Sequence, residues 1–215
     1  MQENTGFSLD LSGIEELDPS LTEGHKVVYE REVPCELRIN SGGRNPEEVG
    51  SLESVKAKIL VLGEENSPEN IRLELSSEND LFFYYTHDVN EMTFKEIQNE
   101  QRIVVDFEEY LGVLVRMLNS CIKEPNSYLA VLIMNKEGSA KLEFIQNIQY
   151  KFVELLSLDF VAISEENVKE QITYRYNAAK SKLAAVEARV KDIYSLVKVK
   201  NPSLLLQLQK NLSKK

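Results

Sequence analysis

Tryptophan is absent from this chain of 215 residues, histidine and cysteine occur twice each, and glycine and proline are sparse at nine and six. Each shortage removes a class of protein. Cys35 and Cys121 are too few and too far apart for a disulfide framework, and they lack the paired spacing of a zinc knuckle, so free thiols in a reducing compartment are expected. His25 and His87 have no cysteine or second histidine at ligand spacing, which leaves no expected metal site and no cofactor. His87, beside Asp88, reads as a satisfied strand-end residue and not as a base. Ser41-Gly42-Gly43 superficially offers a phosphate cradle but lacks the P-loop lysine and the G-x-G-x-x-G spacing. No serine lies in a G-x-S-x-G elbow, and the adjacent acids Glu64-Glu65, Glu108-Glu109 and Glu165-Glu166 sit in polar segments where carboxylates face water. Catalysis is therefore not expected. No apolar run approaches the ~20 residues of a membrane span. The start, MQENTGFSLDLSGIEELD, has no basic stretch followed by an apolar core, so the expected address is the cytoplasm, with no membrane partner.

What is present is ordinary in amount and uneven in distribution. Hydrophobic residues make up 42% of the chain and charged residues 28%, enough for one globular domain with an extension. Residues 1–163 hold 14 Lys and Arg against 30 Asp and Glu, a net of −16, whereas residues 164–215 hold 11 against 5, a net of +6. An acidic head argues against nucleic acid as its partner, because phosphate repulsion opposes the approach. The basic C-terminal part suits an acidic surface, or is a solvated helix.

Residues 1–25 are polar and acidic with sparse apolar positions, Leu9, Leu11, Ile14, Leu17 and Leu21, as in a tail or docking peptide. A head is expected over residues 26–163. KVVYEREV from Lys26 reads as a first strand, with Pro34 closing it or marking an edge. NSGGRNPEEVG is a loop. SVKAKILVL and NIRLEL follow as strands around a GEENSPEN turn, and Phe82 to Tyr85 as an aromatic strand facing both sides of a sheet. Asp88 or Asn90 caps a short helix with Met92, Phe94 and Ile97 on its stripe. Ile103, Val104, Val105 and Phe107 interrupt the period, and Leu111, Val115, Leu118 and Ile122 resume it on a second helix. SYLAVLIM, KLEFIQNI and YKFVELLSLDFVAI add three strands. The expected class is α+β: a small antiparallel β-sandwich or partly open barrel with an inserted helix-turn-helix, then a long C-terminal coiled-coil helix.

That last helix spans residues 164–200, with Ser164 as its cap and Asn201-Pro202 as its stop. Tyr176, Leu183, Val190 and Val197 fall at one heptad position, and Ile172, Ala179, Val186 and Ile193 at another, which together make a coiled-coil seam. Valine at the first position favours two parallel strands, in which Lys182 meets Glu187 of the partner and Arg175 faces Lys180. The other reading is a lone helix packing its stripe on the head. Residues 201–215 form a leucine-rich segment whose Leu205, Leu208 and Leu212 share a stripe that needs a cover, suited to docking a partner.

Several segments also carry a family resemblance, in this order: FFYYTHDV, RIVVDFEEY, CIKEPNSYLAVLIM, YKFVELLS, ITYRYNAAKS and NPSLLLQLQ. From about Ser54 to Gln209 the chain resembles the centriolar cartwheel family, spindle assembly abnormal protein 6, and is most similar to its shorter branch, the spindle assembly abnormal protein 6-like proteins. The resemblance implies the fold just described and a non-enzymatic, self-associating structural protein of a microtubule-based organelle: basal body or centriole, axoneme, or apical complex. It implies partners among that organelle's proteins and a second copy of the chain, as a homodimer or higher oligomer. It also implies a head-to-head contact by the aromatic residue just before a lysine at the tip of the last two strands, here Tyr150, with Phe152 beside it. On its residues alone Tyr150 reads equally as a half-buried strand position. In the cartwheel protein the coil continues further; a short coil is what the shorter branch has. A DNA end-joining type of scaffold is the alternative, since the two kinds of head resemble each other in fold.

Overall fold

The computed structural model describes Gly13, residues 16–40, residues 50–204 and Leu206. Expectations for Leu9, Leu11 and Ile14, for the glycine loop at 41–49, and for Leu205, Leu208 and Leu212 lie outside the described residues. There are two compact units, one of Pro19–Glu170 and one that joins the residues from Gln171 onward with those up to Asp18. The first unit thus begins at Pro19, with a 3-10 turn over Pro19–Gly24.

Seven strands build that unit: β1 (Lys26–Asn40), β2 (Ser51–Glu64), β3 (Ser67–Ser76), β4 (Tyr84–Asn90), β5 (Tyr128–Asn135), β6 (Ser139–Ile148) and β7 (Lys151–Ala162). They close into a barrel in the order β1-β2-β3-β4-β7-β6-β5. Neighbours are antiparallel except β1 and β5, which run parallel from Cys35 opposite Ala130 to Asn40 opposite Asn135. Helices α1 (Glu91–Gln101) and α2 (Phe107–Lys123) are inserted between β4 and β5, and α3 (Glu165–Lys200) follows β7. This is the α+β head with an inserted helix pair and a long helix that the residue pattern predicts.

Alternation places Ile71, Leu73 and Leu75 of β3 inside, with Val55, Ala57, Ile59 and Val61 of β2 and Leu142 and Phe144 of β6. Burying a large side chain of this kind stabilises the fold by roughly 1.5–3 kcal/mol. Pro34 does not end β1. It lies opposite Ser54 on β2, one residue before β5 joins at Cys35, so its missing N–H falls where β1 still has a single neighbour.

Three expectations need correction. Phe82 and Phe83 precede β4: the Asp80 carboxylate accepts the Phe82 N–H at 2.9 Å and the Asp80 carbonyl accepts the Phe83 N–H at 3.1 Å, a turn that overrides strand propensity and leaves Phe82 75% exposed. Met92 is exposed, because Asn90 caps α1 by accepting the N–H groups of Met92 and Thr93 at 3.0 Å, and this rotation turns Phe94 inward. On α2 the fully buried positions are Phe107, Tyr110, Leu114, Leu118 and Cys121, while Leu111, Val115 and Ile122 are half-buried. Tyr110 and Phe107 pack on Phe94 at 4.7 and 5.6 Å between ring centroids, and this aromatic cluster decides which side of α2 faces in.

The barrel is thinnest between β4 and β7, where only Tyr85 opposite Ala162 and Thr86 opposite Val161 are aligned. Side chains span the remaining gap. Gln101, at the end of α1, donates its amide N–H to the Ser157 carbonyl at 2.6 Å and accepts the Ser157 N–H at 2.8 Å, as a neighbouring strand would. His87 Nδ1 lies 2.6 Å from the Asp159 carbonyl, so Nδ1 carries the proton and donates it. On the outer face, Glu74 is 4% exposed and its Oε2 accepts from Tyr84 at 2.6 Å and Ser20 at 2.7 Å, with Lys58 Nζ 3.8 Å away. That carboxylate pins the Pro19–Gly24 turn to the barrel.

Burial pushes His87 below its usual pKa of 6.5, against the opposing pull of the Asp159 carbonyl. The unfolded chain therefore takes up a proton first, and stability falls as pH drops through about 6.5 toward the folded-state value. In thermal melts from about pH 7.5 to about pH 5.5, wild type is expected to lose stability more steeply than His87→Gln, whose amide keeps a donor but does not titrate. Parallel curves would rule out a titrating His87 in the gap.

Candidate functional site

The two apolar surfaces expected from the sequence are both outside the core. The first is the β6–β7 hairpin, in which Asn147 pairs with Phe152 and Ile148 with Lys151, so that Gln149 and Tyr150 form a two-residue turn. Such turns need left-handed backbone, and Gln149 supplies it at φ 36°. The Tyr150 N–H closes back on the Ile148 carbonyl. Tyr150 is 96% exposed, Phe152 63% and Ile148 49%. Tyr150 is therefore a turn residue presented to solvent, not a half-buried strand position. Ile148 and Phe152 alternate to opposite faces of the ribbon, so three large apolar side chains project from one tip in three directions.

The second surface is on α3. Ser164 Oγ accepts the Asn167 N–H at 3.3 Å to start the helix, and Glu165 and Glu166 suit the positive end of its dipole. Its 36 residues extend about 54 Å. Tyr176, Leu183, Val186, Val190 and Ile193 are between 46% and 65% exposed, Ala179 is exposed, and Ile172 and Val197 are partly buried. Tyr194 and Leu196, at 47% and 58%, widen the apolar surface beside the seam toward the C-terminus. Counting heptad positions misses them, since they lie on its flanks; a count of apolar residues per turn finds them. Asn201 then accepts from the Leu204 N–H and the Ser203 hydroxyl, capping a new turn at Pro202, and Leu204 and Leu206 are exposed there.

The reactive side chains are held in structural roles. Cys35 and Cys121 are buried, with burial pushing their pKa values up to about 12 and about 11, so both are thiols at neutral pH and not nucleophiles. His25 is buried against the Thr22 carbonyl at 2.9 Å and the Asn70 side-chain oxygen at 3.4 Å. Among the described residues no three His, Cys, Asp or Glu side chains gather as metal ligands, and no helix is long and apolar enough to cross a membrane.

Comparison with known proteins gives one consistent answer. Residues 27–160 match the family described as the Centriolar protein SAS N-terminal domain. The Spindle assembly abnormal protein 6 homolog of Xenopus laevis is 26% identical over 134 residues, covering 56% of this chain and 20% of that protein. The Gallus gallus homolog is 21% identical over 144 residues, covering 63% and 22%. The match thus spans about a fifth of the length of these relatives. An N-terminal fragment of Leishmania SAS-6 that contains part of its coiled coil domain superposes with a TM-score of 0.68 at 17% identity, covering 86% of this chain and 98% of the fragment. An N-terminal fragment of Drosophila melanogaster Sas-6, dimerised via the coiled-coil domain, gives 0.68 at 16% identity, with coverages of 92% and 95%. At these identities the likeness is one of fold, a barrel head followed by a long helix. With its head matched over residues 27–160, more than half its length, the chain belongs to the family of the centriolar protein SAS N-terminal domain.

Proposed function

We propose that this protein is a non-enzymatic structural scaffold of a microtubule-based organelle, dimerising in parallel through α3 and joining head to head through the β6–β7 tip. The observation that carries the reading is the seam of α3, where seven-residue spacing coincides with large apolar side chains left in water. Covering each half-exposed side chain is worth on the order of 1 kcal/mol, and Lys182 with Glu187 of the partner adds a favourable flank. Arg175 against Lys180 opposes it, as befits a short coil of moderate affinity. Membership of a centriolar family and the fold shared with SAS-6 fragments support the same reading. Two different two-fold contacts on one protomer propagate into rings or chains.

The seam is tested by light scattering on the purified chain. Wild type is expected to be a dimer at tens of micromolar, an affinity of about −6 to −7 kcal/mol or tighter. Leu183→Asp with Val190→Asp places two charges in the seam and should leave a folded monomer. A wild type that stays monomeric at that concentration sinks the parallel coil.

The tip is tested by Tyr150→Glu. A central aromatic typically contributes about 2 kcal/mol or more, roughly thirtyfold in affinity. Sedimentation velocity should show that the variant keeps the coil dimer and loses the concentration-dependent species above it. Identical profiles for wild type and variant would leave Tyr150 a bystander.

A DNA end-joining type of scaffold is the second reading, favoured by the net +6 of residues 164–215. A tagged chain in cells separates the two: concentration at centrioles, basal bodies, axonemes or an apical complex is expected, and recruitment to DNA breaks would overturn the first reading.

A further inference from the structure

The edges of the α3 seam change character along the helix. They carry Lys180 and Lys182 in one heptad, Glu187 and Arg189 in the next, and then Tyr194 and Leu196. Charged edges close a two-stranded coil against water. The last two are apolar and lie in water, Tyr194 47% and Leu196 58% exposed, beside Val190 and Ile193 of the seam at 59% and 51%. Over this heptad, about 12 Å of helix, the apolar stripe widens from the narrow seam of a pair to the broader face by which helices pack in bundles.

A parallel pair does not cover that width. The offset that sets Lys182 against Glu187 of the partner also sets Arg189 against Tyr194, and Leu196 against Asn201, so each apolar edge faces a polar one. Reversing a helix brings each edge against its own copy instead. Tyr194 then meets Tyr194 and Leu196 meets Leu196, both served by one two-fold axis beside Ser195. Charge selects the same direction. Residues 1–163 carry a net of −16 and precede the helix in the chain, so pairs laid side by side in one direction gather four acidic heads. An antiparallel overlap centred on Ser195 leaves about 90 Å between the opposed helix starts.

We propose that the last heptad of α3, residues 190–197, joins two parallel pairs tail to tail in a short antiparallel four-helix contact. The occupant of the widened face is a second pair of this same chain, because under the two-fold the surface is its own complement. This inference rests on the parallel pairing proposed above. One heptad holds such a contact only weakly, so it leaves the mass of a dilute dimer unchanged and gains strength where head contacts already link the pairs.

A benzophenone side chain at Val199, which is 80% exposed and outside the seam, tests this in the full chain. The protein is illuminated at about 0.5 mM, near the dissociation constant of a millimolar contact. Peptide mapping by mass spectrometry should find Val199 joined to another chain around Asp192, whereas a parallel pair alone joins it near residue 199 or nowhere. The same probe at Lys182 reports the parallel pair and should reach another chain around Glu187. A chain carrying both probes should yield four-chain adducts on a denaturing gel. Tyr194→Gln with Leu196→Gln should cut the Val199 crosslink by about tenfold or more, leaving the Lys182 crosslink and the helical circular dichroism unchanged. Loss of the Lys182 crosslink in the otherwise unaltered chain overturns the parallel pairing and this contact with it. With that crosslink present, a Val199 probe that never reaches residue 192, adducts of no more than two chains, or a yield indifferent to the two glutamines overturns the tail-to-tail contact alone.

Discussion

Closing a seven-stranded barrel requires the last gap to be bridged, and here β4 and β7 provide only two aligned pairs for it. A strand edge left open costs unpaired N–H and C=O groups. The Gln101 amide and the His87 ring meet that need, each delivering a side-chain hydrogen bond to a β7 backbone group. Gln101 reaches β7 only because α1 leaves β4 at Asn90 and returns its last turn to the gap. The cap at Asn90 therefore helps position the helix that completes the barrel. Phe94, on the same helix, seats Phe107 and Tyr110, so the orientation of α2 depends on that placement as well.

The barrel turns one set of its large apolar side chains inward, and of those left in water two groups carry the functional reading. Tyr150, Phe152 and Ile148 lie at or beside the two-residue turn of the β6–β7 hairpin, and the α3 seam lines the helix that follows β7 in the chain. Neither surface contains a reactive group. The thiols and imidazoles lie inside, held neutral or hydrogen-bonded as parts of the packing.

Much of the head was legible from periodicity. Ile71, Leu73 and Leu75 alternate as a half-buried strand must, and the long helix was bounded by Ser164 and Pro202 within a residue or two. The errors fell where local turn chemistry competes with propensity. Phe82 looks like a strand residue until Asp80 takes its N–H, and Met92 looks like a core residue until the Asn90 cap sets the phase of α1. For α2, both the stripe through Leu111 and the one through Tyr110 fit a helical period; which faces in depends on Phe94, on another element.

By itself, then, the sequence determined the elements, their order, the charge contrast between head and helix, and the heptad spacing, because these depend on local backbone preferences and on which side chains avoid water. Only the tertiary structure decided that β1 and β5 pair in parallel to close the ring, that His87 and Gln101 span its gap, and that Tyr150 sits in a turn and not in a strand. Those depend on contacts between residues far apart in the chain, whose partners no local pattern specifies.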